Sequence, residues 1–300
     1  MEVSTPESMK LWERGRKLGA GGYGFVCLAH PLAGHPLFLP DSSLQIVMAV
    51  KSAKYTSSSS LIRERNLFKK FKDCPHIIRY LGCDCTYEED ERFRNIFMQY
   101  AAGGSLHDRI KSAASRGTRI SEIEAREVTE CVLHGLRFIH SKGYVHCDIK
   151  TDNILIVKGK AKIGDLGLTI KPGKYPGKII GTRNYMAPES FKSGDYTSKA
   201  DIWGLGCCLF EMITGVKIWR HMKEDEIHKI IERSRMSDKA QLFWRKCMVE
   251  DPEQRWDAEL LLQHPFIVDH PPSPLSTGKQ VCKIMPTSST TVCQYKAEEA

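Results

Sequence analysis

The chain has 300 residues, 41% of them hydrophobic and 27% charged, an ordinary globular composition with length enough for one large or two small domains and a sizeable core. No run approaches eighteen apolar residues and residues 1–7 carry neither a basic start nor an apolar stretch, which argues against secretion and membrane spanning; eleven cysteines without framework or zinc-site spacing point to free thiols in a reducing compartment. The net charge of +8 is spread along the chain rather than gathered in one patch, so it does not mark a nucleic-acid binder.

Residues 11–29 predict two short strands around a glycine-rich turn. Gly19, Gly21 and Gly24 form a G-x-G-x-x-G, with Val26 two positions on. Dinucleotide folds share that spacing but need a helix directly after it, whereas Phe25-Val26-Cys27-Leu28 has strand character and soon meets Pro31 and Pro36. The loop is therefore expected to lie as a flap over phosphates, with Val26 against an adenine. The connection 30–45 contains three prolines and is assigned no chemistry. Residues 46–51 predict a strand ending in Lys51. From Ser59 to Phe71 a helix is expected, capped by its serines, with Leu61, Leu67, Phe68 and Phe71 on one face and Glu64 beside that face. Glu64 can pair there with Lys51 or with a neighbouring arginine.

Residues 94–98 predict a buried strand running into Gly103-Gly104. Ser121 and Glu124 form a capping box for a helix whose apolar stripe continues through Val128, Val132, Leu136 and Ile139. That helix delivers the chain to Val145-His146-Cys147-Asp148-Ile149-Lys150-Thr151-Asp152-Asn153. Here Asp148 can accept a proton from an attacking hydroxyl, Lys150 can neutralise charge on a transferring phosphate, and Asn153 can offer oxygen to a metal. Residues 154–157 and 161–164 predict a hairpin turning at Lys158-Gly159-Lys160, followed by Asp165-Leu166-Gly167. Residues 198–215 are apolar nearly all round, which predicts a buried helix whose Asp201 must find hydrogen bonds.

The set His146-x-Asp148-x-Lys150-x-x-Asn153, the glycine loop, Ala49-Val50-Lys51, Asp165-Leu166-Gly167 and Gly181 through Glu189, in this order, resembles the eukaryotic protein kinases. Lys150 two residues past the aspartate, with Thr182 before Tyr185-Met186-Ala187-Pro188-Glu189, is similar to their serine/threonine form. The stretches Val145 to Lys150, Gly181 to Ser190, Lys199 to Cys207 and Glu211 to Gly215 look most like the plant MEKK-like branch of mitogen-activated protein kinase kinase kinases.

The resemblance implies an α+β fold in two lobes: a small, mainly β N-lobe with one main helix over about 12–98, a hinge over about 99–104, and a larger, mainly α C-lobe over about 105–267. Outside them lie a short tail over 1–11 and a polar, proline-rich tail over 268–300 expected to be disordered. It implies ATP and Mg²⁺ as cofactors. Leu18, Gly19, Gly21, Gly22, Gly24, Val26 and Ala49 would line the nucleotide pocket, Met98 would stand at its back, and the backbone of Gln99 and Ala101 would bond the purine edge. Lys51, paired with Glu64, would hold the α- and β-phosphates; Asp165 and Asn153 would hold the metal; Asp148 would orient a substrate hydroxyl. Thr182 would bond near Asp148 and Lys150, Glu189 would pair with Arg255, and Asp201 would fix the catalytic-loop backbone. Protein substrates, MAP kinase kinases among them, and a cytoplasmic or nuclear location follow from the same resemblance. The oligomeric state is not implied.

Two positions depart from the family pattern. Leu166 replaces the usual phenylalanine, a position that packs rather than reacts. Cys147 stands where many kinases carry an arginine that pairs with a phosphorylated activation loop, so activity is expected to depend only weakly on phosphate there. The hydroxyl residues between Asp165 and Glu189 are Thr169, Tyr175, Thr182 and Tyr185. The alternative to an enzyme is a pseudokinase scaffold, though such proteins often lose the strand lysine, the loop aspartate or the metal aspartate, and all three are present.

Overall fold

Alternating strand residues between Trp12 and Gln99 build one antiparallel sheet in the computed structural model, which describes residues 11–21, 24–35, 47–173, 177–218 and 222–269. Its strands are β1 (Trp12–Gly21), β2 (Gly24–Pro31), β3 (Met48–Lys54), β4 (Tyr80–Glu88) and β5 (Glu91–Gln99), ordered β1-β2-β3-β5-β4. Central β3 is buried on both faces up to its last residue, as a strand covered on two sides must be. Cross-strand partners Val26–Lys51 and Ala49–Met98 put Val26, Ala49, Lys51 and Met98 on one face, because strand side chains alternate. The other face carries Cys27, Met48, Val50 and Phe97, packed with Trp12 into a small core, where the Trp12 and Phe97 rings meet edge to face at 5.1 Å. The two edge strands also meet. Trp12 Nε1 donates to Asp84 at 2.7 Å, and Arg14 grips Glu88 with two bonds of 3.0 and 2.7 Å, so the sheet curls round on itself.

One helix of this lobe, α1 (Ser59–Lys70), buries Leu61, Leu67 and Phe68, with Phe71 just past its end. At about 25 cal/mol per Å² of apolar surface, each such side chain contributes roughly 1.5–3 kcal/mol. The expected serine cap is absent: Ser58 precedes the helix, makes no cap bond, and donates its hydroxyl to the Tyr55 carbonyl at 2.8 Å. Ser58 sits at φ −90°, ψ 10° rather than in the extended conformation usual for a cap, and its oxygen accepts from Arg94 Nε at 3.1 Å instead.

Beyond Gln99 the chain is mostly helical. Helix α2 (Leu106–Ser115) starts with a capping box between Ser105 and Asp108, and α3 (Glu122–Ser141) buries Val128, Val132, Leu136 and Ile139. Only half of the box expected at Ser121 forms: its hydroxyl accepts from the Glu124 N–H at 3.2 Å, but the Glu124 carboxylate turns to Arg109, an ion pair across helices displacing the local bond. Strands β6 (Ile154–Val157) and β7 (Lys160–Ile163) form the expected hairpin, with Lys160 in the strand rather than the turn. Lys158 and Gly159 alone make the turn, both at positive φ, the conformation a two-residue hairpin requires. Helix α4 (Pro188–Lys192) precedes the central helix α5 (Ser198–Thr214), around which α6 (Glu224–Ser234), α7 (Asp238–Cys247), α8 (Ala258–Leu262) and α9 (Pro265–Val268) complete the lobe. From Ala200 to Thr214 α5 is buried except at Trp203, as its lack of a polar stripe dictates.

The two-lobed α+β arrangement expected from the sequence is therefore present. The nine described cysteines are free thiols. No helix among the described residues is long and apolar enough to cross a membrane. Gly22, Tyr175, most of the connection 30–45 and nearly all of both tails lie outside the described residues.

Candidate active site

Gly19, Gly21 and Gly24 stand where β1 ends and β2 begins, on the strands beside β3 with its Lys51. Gly24 is required there by contact: an added Cβ would stand 2.1 Å from the Ser52 carbonyl oxygen, at φ +133°. At Gly19 and Gly21 a Cβ would meet nothing within 4 Å among the described residues, so the end of β1 keeps open space beside its backbone, the kind of space that phosphate oxygens fill. Leu18 is partly exposed, whereas Ala49 and Met98 are buried. Gln99 donates its N–H to the Arg79 carbonyl at 2.8 Å and the Ala101 carbonyl accepts from Gly104 at 3.0 Å. For a purine edge that leaves the Gln99 carbonyl, not its N–H, and the Ala101 N–H.

Lys51 is joined to carboxylates from both lobes. Its Nζ lies 2.8 Å from Glu64 Oε2 and 2.9 Å from Asp165 Oδ1; Glu64 thus selects Lys51 over the neighbouring arginines. One ammonium serves two carboxylates. Burial alone would lower the Lys51 value, but Glu64 and Asp165 outweigh it and hold it above the ordinary lysine range. Burial lifts the Glu64 carboxyl to about 7 against the pull of Lys51. Asp165, with half of its side chain exposed, is brought down to about 2, its partial burial being overcome by the Lys51 ammonium and the Gly167 N–H. Its backbone sits at φ 50°, a strained value for a non-glycine residue.

The catalytic-loop candidates converge on Asp148. Its Oδ2 accepts from Asn153 Nδ2 at 2.9 Å and lies 2.9 Å from Lys150 Nζ, while Oδ1 accepts from the Thr182 hydroxyl at 2.7 Å. Lys150 also donates to Thr182 at 2.8 Å. A carboxylate has about four acceptor positions, so three donors orient Asp148 and leave it one position for an incoming hydroxyl. Asn153 also donates to the Asp148 carbonyl at 2.9 Å. With both amide hydrogens spent, its Oδ1 remains for a cation, and together with the exposed Asp165 carboxylate it forms the hard oxygen set that a divalent metal such as Mg²⁺ takes. A cleft beside these groups is lined by Ile149, Thr182, Met186 and Ala187.

Behind the loop, Asp201 at the start of α5 is nearly fully buried and accepts three bonds. The N–H of His146 donates to it at 2.8 Å, that of Cys147 at 2.9 Å, and His140 Nε2 at 2.8 Å. This holds Cys147 at φ 67° and fixes the backbone that leads into Asp148. The His146 ring is locked by its partners: Gly164 O can only accept from Nε2, at 3.0 Å, and the Asp148 N–H can only donate to Nδ1, at 3.2 Å. Glu189 and Arg255 meet in bonds of 2.7 and 3.1 Å. The other Arg255 donors reach the carbonyls of Val249, Lys199 and Glu250, so a fully buried guanidinium is satisfied at all five N–H groups.

The structure gives partners to residues to which the sequence reading assigned no role, His146, Thr151 and Tyr185 having entered it only as positions in quoted stretches. Thr151, Tyr185 and Glu211 form a buried triangle, Tyr185 donating to Glu211 at 2.5 Å, Thr151 to Glu211 at 3.3 Å, with 3.0 Å between the two hydroxyls. His140 and His146 belong to the Asp201 network. The one sequence signal is Glu211, an acid on the otherwise apolar α5, which must find partners but does not name them.

Residues 12–267 match the protein kinase domain. The chain is 36% identical to mitogen-activated protein kinase kinase kinase 20 of Arabidopsis thaliana across 85% of this chain and 78% of that protein. To mitogen-activated protein kinase kinase kinase 17 of the same plant it is 34% identical across 87% of this chain and 70% of the relative, and to number 18 it is 32% identical across 96% and 86%.

Proposed function

The chain belongs to the protein kinase family and is a serine/threonine kinase that takes ATP and a divalent metal, and from that premise we propose that it is a catalytically active mitogen-activated protein kinase kinase kinase of a plant signalling cascade. The observation that carries catalysis is the setting of Asp148, held by Lys150, Asn153 and Thr182 with one acceptor position free. The tier rests on the likeness to the three Arabidopsis proteins.

In this reading ATP enters between the lobes, with its phosphates beside Gly19 and Gly21 and against Lys51, and Mg²⁺ held by Asp165 and Asn153. The metal supplies charge neutralisation at the phosphates. Leu18, Val26, Ala49 and Met98 enclose the base, and the Ala101 N–H and Gln99 carbonyl meet its edge. Asp148 accepts the hydrogen bond of a protein serine or threonine hydroxyl and aims that oxygen in line with the γ-phosphate. Lys150, 2.9 Å from Asp148, stands where charge develops on the transferring group. Positioning and fixed charge, rather than a covalent intermediate, lower the barrier. Glu64 and Asp201 act through Lys51 and the loop backbone.

The test is transfer of labelled γ-phosphate from Mg-ATP to a catalytically dead mitogen-activated protein kinase kinase, with Asp148→Asn as control. Loss of the proton acceptor is expected to lower turnover by about 10²–10⁴-fold with nucleotide binding nearly unchanged. Label on a generic serine/threonine substrate alone would keep the enzyme and remove the tier. ATP binding without transfer to either substrate would make the chain a scaffold.

A further inference from the structure

Three separate segments bring cationic side chains together on a surface the catalytic reading does not use. On β7, Ala161 and Ile163 are buried, so Lys160 and Lys162 stand on its opposite face. The segment before β4 is laddered onto β7, with the Ile163 N–H donating to His76 O at 2.8 Å and the Ile78 N–H to Ile163 O at 2.9 Å. Helix α3 lies hard against the same ladder because residue 135 is glycine: an added Cβ would stand 2.7 Å from Ile163 Cδ1 and 3.2 Å from His76 O. That approach stacks the His134 ring on His76 at 5.0 Å and carries Arg137 in with it. Arg79 follows His76 on the same segment and bears electrostatically on Lys162. His76 feels the crowd. Burial first, and then His134, Lys160, Lys162 and Arg137, hold its imidazole below the ordinary histidine value.

Three carboxylates of the described residues are near: Glu127 and Glu130 share the surroundings of Cys131 with Lys160, and Glu259 stands beside Arg137. Glu130 lies 3.9 Å from His134 and Glu259 3.2 Å from Arg137. Among the described residues Arg79, Lys160 and Lys162 have no carboxylate partner. Like charges fixed on a rigid frame repel one another, and that repulsion is relieved when an anionic partner arrives.

We propose that this surface, formed by Arg79, Lys160 and Lys162 with His76, His134 and Arg137 beside them, docks an acidic segment of a partner protein. Charge complementarity selects the acidic partner. The want of an exposed tyrosine, tryptophan or phenylalanine ring beside these cations among the described residues, with the two imidazoles stacked on each other, selects protein over single-stranded nucleic acid. Bases bind through aromatic rings as well as charge, and the exposed aromatic rings among the described residues, Tyr55 and Tyr87, belong to a different cluster with Arg92 and Arg94.

The experiment titrates the full chain into a short fluorescein-labelled Asp/Glu peptide, its Asn/Gln analogue and a short single-stranded oligonucleotide, and follows anisotropy as salt rises. The acidic peptide is expected to bind in preference to the other two, and to release as salt screens it. Combined Arg79→Gln, Lys160→Gln and Lys162→Gln should weaken that binding by about tenfold, three exposed charge pairs being removed, with melting temperature and transfer to a generic substrate unchanged. Equal binding of the acidic and neutral peptides, or undiminished binding by the triple variant, overturns the proposal. So does tighter binding of the oligonucleotide. The readout is binding, so failure of phosphoryl transfer leaves it intact.

Discussion

Lys51 is a single cation answering to two carboxylates, and the imbalance falls on the buried one. With Glu64 raised to about 7, the Lys51–Glu64 pair is fully ionised only above neutrality. We therefore expect kcat/KM for ATP to fall on the acid side with a midpoint near 7, and Glu64→Gln to remove that limb while lowering the plateau. A wild-type profile flat from pH 6 to 8 would count against the sharing of charge. Stability runs the other way. A folded-state value above the unfolded one of about 4.3 means that folding favours the protonated acid; this contribution is complete below about 4.3 and is lost as pH rises through about 7. Activity and stability thus place opposite demands on one carboxyl group.

At the scale of elements, the catalytic loop has little regular structure of its own and borrows rigidity from what surrounds it. Asp201 brings α5 to its backbone, Glu211 brings the same helix to Thr151 and Tyr185, and Arg255 ties the end of the activation segment to the α5 N-terminus. Arg255→Ala strips five buried bonds and strands Glu189, at a cost of about 3–5 kcal/mol. Arg255→Lys, with three donors for five acceptors, should lose part of that in chemical denaturation. A lysine variant as stable as wild type would mean that the bidentate fork is not used. Elements of this kind are only partly legible in the sequence. Asp148, Lys150 and Asn153 stand within six residues, so their joint chemistry shows in the bare chain, as does the apolar α5. His140 and Asp201 are 61 positions apart, and no local pattern connects them. Strand β4 escapes for another reason: neither of its faces is deeply buried, so the period-two signal is weak. Helix α2 does carry a sign, the Ser105–Asp108 box, which a search for longer periodic stretches passes over.

Across the whole molecule the described parts of the activation segment are fastened by packing and hydrogen bonds. Cys147 joins Val145, Ile180, Met186 and Tyr196 in an apolar cluster, where burial, with Asp201 and Asp148 nearby, pushes its thiol up and keeps it a packing group. Val145 and Ile170 exchange backbone bonds of 2.8 and 3.0 Å, and the Tyr196 hydroxyl clasps the Ile180 backbone. Of the described hydroxyls of the segment, Thr182 is bonded to Asp148 and Lys150 and Tyr185 to Glu211, while the Thr169 oxygen is buried without a hydrogen-bond partner. Phosphatase treatment of the purified protein should therefore leave most of its activity. Loss of activity on treatment, restored by rephosphorylation, would reject the idea.

We expect a segment fastened by packing to give a phosphatase nothing to release. We expect the output of such an enzyme to follow its supply, rising with synthesis and falling with turnover of the protein, so that a transient signal lasts as long as the copies do.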